Sequence, residues 1–167
     1  MTHPTAQIEP EKIHLNEVRL LQSHFGTSDQ FLTNPVIPNR TNVQIGQNSG
    51  IDLKTNAYGV KLDIILSALD EKGQEIGLNA RYTIHFGFIV DNLADFVKVE
   101  GTNTDIDIRL GATVIGIAYS TARGIVLERT QGSFFNGAIL PVLNPANILT
   151  GPAAPAPPIS SSSPELK

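Results

Sequence analysis

Cysteine is absent from all 167 residues, which excludes a disulfide framework, thiolate chemistry and any zinc site built on sulfur. Basic runs are absent too. With 12 Lys and Arg against 16 Asp and Glu, and no basic stretch interleaved with aromatics, neither nucleic acid nor an anionic membrane is an expected partner. The first twelve residues, MTHPTAQIEPEK, carry neither the basic nor the apolar region of an export signal. The longest uncharged apolar run, Leu110 to Ala122, is shorter than a bilayer span. The expectation is a soluble, unexported, cytoplasmic protein.

Catalytic signatures are missing as well. Gly46 to Gly50 lacks the Lys-Ser/Thr of a phosphate loop, and there is no dinucleotide fingerprint and no nucleophile elbow. The four histidines, His3, His14, His24 and His85, have no metal-ligand spacing. No enzyme activity, cofactor or metal is expected.

What is present begins with organisation. The length suits one domain, expected over residues 10–148, with a flexible N-terminus at 1–9 and a disordered tail at 149–167. From Thr150 onward lie five of the eleven prolines and four consecutive serines, with extended pieces expected near Pro155 to Pro158.

Period-two alternation runs through Val60, Leu62, Ile64, Leu66 and Ala68, and resumes from Ile76 through Leu78, Ala80, Tyr82, Ile84, Phe86, Phe88 and Val90. Asp70-Glu71-Lys72-Gly73 between them makes this a hairpin. A left-handed Gly73 would pair Asp70 with Gln74, and then Ala68 with Ile76, Leu66 with Leu78, Ile64 with Ala80 and Leu62 with Tyr82. Asp63 and Arg81 fall on the opposite face, placed for a cross-strand ion pair.

Two further strands are expected. Ile13 to Phe25 contains the pair Leu20-Leu21, which signals a bulge or a twist. Val43 to Lys54, interrupted by Gly46 and Gly50, is either bent or two short strands. Between them, Thr27 to Asn42 is a proline-held crossover loop whose Phe31, Leu32, Val36 and Ile37 form a binding edge or plug the sheet's end.

Leu110 to Pro145 is the most informative stretch, an almost wholly apolar helix released into a loop with two adjacent phenylalanines. Thr104 or Asp105 is its expected N-cap and Gly132 its stop. A helix apolar on most of its circumference must be covered on more than one side, which points to self-association. The small residues Gly111, Ala112, Gly116, Ala118, Ala122 and Gly124 would permit close approach.

Leu110-Gly111-Ala112, then Ala122-Arg123, then Gly132-Ser133-Phe134, then Leu140 with Asn144, resemble in order the helix and exit loop of the SecB export-chaperone family. Phe86 to Phe88 matches the family's glycine-aromatic strand end, and the likeness spans roughly residues 10–148. The resemblance implies an α+β fold: a four-stranded antiparallel sheet with a crossover loop, packed on one long helix, the second helix short or absent because Pro145 and TGPAAPAPP leave little room for it.

It also implies an ATP-independent holdase that takes unfolded polypeptides, export precursors above all, into an apolar groove, and that assembles as a dimer of dimers. The groove residues would be Phe31, Leu32, Ile37, Phe134, Phe135, Leu140, Val142 and Leu143. Gly111, Ala112, Ile115, Ala118, Tyr119 and Ala122 would form the oligomer interface. Acidic residues through which the family docks the SecA motor correspond here to Arg81 and to Leu20 or Leu21, a change that opposes such docking. Competing readings are a dedicated chaperone for the antitoxin of a toxin-antitoxin pair, a small-molecule or lipid module with Tyr82, Phe86 and Phe88 around a closed pocket, and a structural subunit of a larger particle.

Overall fold

A computed structural model describes residues 6–101 and 103–151. The extended pieces expected near Pro155 to Pro158 lie outside the described residues. Four strands form one antiparallel sheet: β1 (Ile13–Thr27), β2 (Arg40–Asp52), β3 (Ala57–Leu69) and β4 (Glu75–Val90), in the order β1-β4-β3-β2. A short helix α1 (Asp29–Thr33) sits in the crossover between β1 and β2, and strands β5 (Val97–Glu100) and β6 (Asn103–Ile106) form a separate ribbon. The long helix α2 (Ile108–Thr130) and the six-residue α3 (Pro145–Thr150) complete the fold.

The alternating pattern decides which face of the sheet is covered. Val60, Leu62, Ile64 and Leu66 of β3 and Ala80, Tyr82, Ile84 and Phe86 of β4 all point inward and are completely buried. Leu110, Val114, Ala118, Ala122 and Val126, spaced four apart, with Ile115 beside them, form the face of α2 that closes this layer. In length and composition α2 could cross a bilayer, yet here it is a core helix laid on a sheet. Tyr82, Phe86 and Phe88, the side chains a closed ligand pocket would need, are part of that solid core.

The hairpin starts as its turn dictates. Gly73 is left-handed (φ 78°) and the Asp70 N–H donates to the Gln74 carbonyl at 2.9 Å. Beyond Leu69 and Glu75 the partners differ from the simple register. Leu66 faces Ala80, Ile64 faces Tyr82 and Leu62 faces Ile84, because Ile76, Gly77 and Leu78 bulge opposite Ala68 alone. Gly77 is again left-handed (φ 78°), and its carbonyl accepts the Ser28 N–H that starts the crossover. Two extra residues leave the alternation in phase, so the inward set is unchanged.

Other boundaries shift for local reasons. The expected bulge in β1 falls at Leu21, with a second at Asn16. β2 runs unbroken through Gly46 and Gly50. Residues 103–106 are spent on the β5–β6 ribbon, so the N-cap of α2 is Asp107, whose carboxylate accepts the Arg109 N–H. Ala6 and Ile8, from the segment expected to be loose, pack against the core, and α3 carries ordered structure through Thr150. On the open face the Arg81 guanidinium lies 3.6 Å from Asp63, and Thr83 donates to the same carboxylate at 2.6 Å.

Candidate functional site

The segment after α2 turns back and runs antiparallel along it as a strap. Its start is fixed by Thr130, which is fully buried. The Thr130 hydroxyl donates to the Val126 carbonyl at 2.8 Å and accepts the Ala138 N–H at 2.9 Å, while the Thr130 carbonyl accepts from Gly137 and Ser133. Held this way, the two phenylalanines part. Phe135 turns inward, and Phe134 stays 57% exposed.

Each finds an aromatic partner. Phe134 meets the Phe31 ring edge-on at 5.1 Å, and Phe135 meets Phe25 at 6.3 Å. Phe25 in turn stands edge-on to Tyr82 at 6.3 Å. Phe25, Leu78 and Phe134 line an apolar depression at this end of the molecule. Phe25 is the site residue that sequence reasoning left out. Its signal was its place as the last apolar residue of β1, on the covered face beside an edge.

Further along, two side chains of α2 grip the strap by its backbone. Arg123 donates through Nε to the Leu140 carbonyl at 3.1 Å, and the Tyr119 hydroxyl donates to the Pro141 carbonyl at 2.7 Å. Burial pushes the Tyr119 phenol up from its ordinary value, although the nearby Arg123 opposes this. Leu140 consequently points in, and Ile139 and Val142 point to solvent. A second depression opens between the strap and β2, lined by Thr41, Val43, Ala138, Leu140 and Pro141. Because β2 ends the sheet, its outer row of backbone N–H and C=O groups has no strand partner among the described residues.

The strap ends in α3, capped by Asn144 and begun by Pro145. Leu149 packs where a side chain on Gly111 would otherwise stand, and Gln47 Nε2 donates to the Leu149 carbonyl at 3.2 Å. Beneath α3 two polar atoms are buried without a hydrogen-bond partner among the described residues, Gln47 Oε1 and the Tyr58 hydroxyl. Ser49 on β2 lies beside the phenol but out of bonding geometry, and burial pushes the Tyr58 phenol up. A buried unsatisfied group costs about 1–3 kcal/mol, and the Thr130 end carries one as well, the buried Tyr82 hydroxyl beside Phe25.

The expected groove residues thus divide. Phe31, Phe135 and Leu140 are buried supports, whereas Leu32, Ile37, Phe134 and Val142 are exposed and Leu143 is partly so. Of the expected interface residues, Gly111, Ile115, Ala118, Tyr119 and Ala122 are covered within the protomer, Ile115, Ala118 and Ala122 on the face toward the sheet, Tyr119 beneath the strap and Gly111 beneath Leu149. Only Ala112 remains partly accessible, beside the outward Thr113, Ile117 and Ser120. No carboxylate lines any of these apolar depressions.

No family model and no curated protein matches the sequence. Among solved structures, the chain is similar to the SecB-like chaperone Rv1957 of Mycobacterium tuberculosis, in complex with a ChAD peptide from the Rv1956 HigA1 antitoxin. The TM-score is 0.55 at 15% identity, over 80% of this chain and 93% of that one. A protein of unknown function from Streptococcus agalactiae superposes with a TM-score of 0.41 at 11% identity, over 78% of this chain and 97% of that one. The first likeness establishes the fold as SecB-like: four antiparallel strands, one long helix and a short second helix.

Proposed function

We propose that this protein is an ATP-independent chaperone that holds unfolded polypeptide segments in the depressions flanking its strap. The observation that carries the reading is the unpaired edge of β2 beside an apolar, carboxylate-free depression. An unfolded chain exposes apolar side chains and unpaired backbone together. An edge strand can pair with the backbone by β-augmentation, and apolar pockets beside it take alternate side chains with little sequence preference. Exposed Phe134 and Phe25 extend the contact surface at the strap's aromatic end.

Self-association belongs to the same reading. β1 leaves the other edge of the sheet unpaired, with Leu15, Val18 and Leu21 partly exposed along it. Together with the outward stripe of α2, this edge is the surface through which copies would assemble as a dimer of dimers, and joined grooves would raise affinity for one long client. Arg81 on the open face and Leu20 or Leu21 in β1 speak against docking of the SecA motor. Rv1957 binds a peptide from an antitoxin, and that favours a dedicated antitoxin client as the narrower form over general export precursors.

Reduced insulin tests the reading directly, since a cysteine-free chaperone is indifferent to the reductant. Suppression of light scattering at a near-stoichiometric ratio is expected, and Phe134→Ser should weaken it severalfold without changing the mass measured under native conditions. No suppression at tenfold excess would end the holdase reading.

A further inference from the structure

Two side chains beneath α3, Gln47 at the Leu149 carbonyl and Tyr58 near Gly111, have more bonding capacity than α3 uses. Gln47 offers a donor and an acceptor side by side, the same pair that a peptide unit offers in return. Its donor holds the carbonyl of Leu149, a main-chain group, while its acceptor has nothing to bind. The Tyr58 hydroxyl, on a side chain only 1% exposed, has Ser49 beside it and no bond from α3.

A helix end cannot satisfy these side chains. The N–H groups of α3 are spent on its own turn, as in the bond from Gly151 to the Asn147 carbonyl at 2.9 Å, so it presents carbonyls and no free donor. An extended segment presents both. Val43, Ile45 and Gln47 alternate on one face of β2, which puts Gln47 in line with the strap depression and about 13 Å further along the strand. α3 itself is held lightly. It has six residues, too few for a helix to persist unaided, and Ile148 is its single buried side chain.

We infer that Gln47 and Tyr58 form a site that reads the main chain of an extended client, and that α3 is its internal occupant, displaced when the client binds. This rests on the holdase reading and adds a competitor to it. Binding would swap one helix carbonyl for a peptide unit that engages Gln47 through both its N–H and its C=O.

A reversible lock tests it. A Cβ on Gly116 would lie 3.7 Å from that of Pro145, within the span of a disulfide, and the chain has no other cysteine. Gly116→Cys with Pro145→Cys, oxidised, pins α3 to α2; reduced, it frees the helix. The probe is fluorescein-labelled α-lactalbumin, reduced and carboxymethylated so that it stays unfolded.

Oxidation should weaken binding about tenfold relative to the reduced form of the same protein. Adding Gln47→Leu should weaken the reduced form about fivefold and erase most of the oxidation effect. Equal affinities in the two redox forms would overturn the inference and leave the holdase reading intact. Absence of binding by both forms and by the wild type would overturn both. Hydrogen exchange on the wild-type protein covers the case in which the double variant does not fold. The amides of Asn147 and Gly151 should lose protection when client is added, and a gain in protection would overturn the inference.

Discussion

The two ends of α2 are finished in opposite ways. At its C-terminal end Thr130 uses its hydroxyl and carbonyl to gather the returning strap, and Phe135 is sealed beside Phe25. At its N-terminal end α3 lies over a glutamine oxygen and a tyrosine hydroxyl that have no bond in good geometry among the described residues. One segment therefore joins an end gathered by the Thr130 hydrogen bonds to an end held from outside by the Gln47 hydrogen bond. The difference teaches that a strap can be fixed and yieldable at once, provided the two properties sit at opposite ends.

Breaking the anchor should cost most. Phe135→Ser removes a buried ring and leaves a polar group in its place, and destabilisation of about 3–5 kcal/mol in urea unfolding is expected. Phe134→Ser, one residue away and 57% exposed, should move stability by less than about 0.5 kcal/mol. Equal losses from the two would mean that the loop does not separate support from surface. A smaller effect is expected of Thr130→Val, which keeps the shape but strands the Ala138 N–H, at about 1–3 kcal/mol by the same measurement. No loss there would show that the strap is held by its rings alone.

Much of this architecture was legible. Alternation along Val60 to Ala68 and Ile76 to Val90 identified the inward face, because burial on one side of a pleat imposes period two whatever the register. The register itself was not legible. The bulge at Gly77 is set by the crossover, where the Ser28 N–H reaches the Gly77 carbonyl from the end of another strand. The surplus apolar face of α2 was read correctly as a demand for a second cover. Part of that cover comes from within the chain, where Leu140 and Ile148 join the core and Leu149 packs over Gly111, and nothing in the α2 pattern announced it. In the site, the Phe134-Phe135 pair could be read as two rings on one loop, but only the Thr130 hydrogen bonds decide which ring faces out.

The gentlest test concerns the α3 end. All three tyrosines, Tyr58, Tyr82 and Tyr119, have phenols pushed above their ordinary value chiefly by burial. In the unfolded chain they ionise near ~10, so above that pH the unfolded state releases protons that the folded state retains. Their contribution is thus whole below about pH 10 and is lost as pH climbs toward the folded values. Tyr58→Phe removes one of the three and also deletes a hydroxyl with no partner, so at pH 7 the melting temperature should stay level or rise slightly. Between pH 9.5 and 11.5 it should fall less steeply than in the wild type. A clear loss at pH 7 would mean that the Tyr58 hydroxyl is bonded in the folded protein, and the contrast between the two ends of α2 would shrink to a difference in packing.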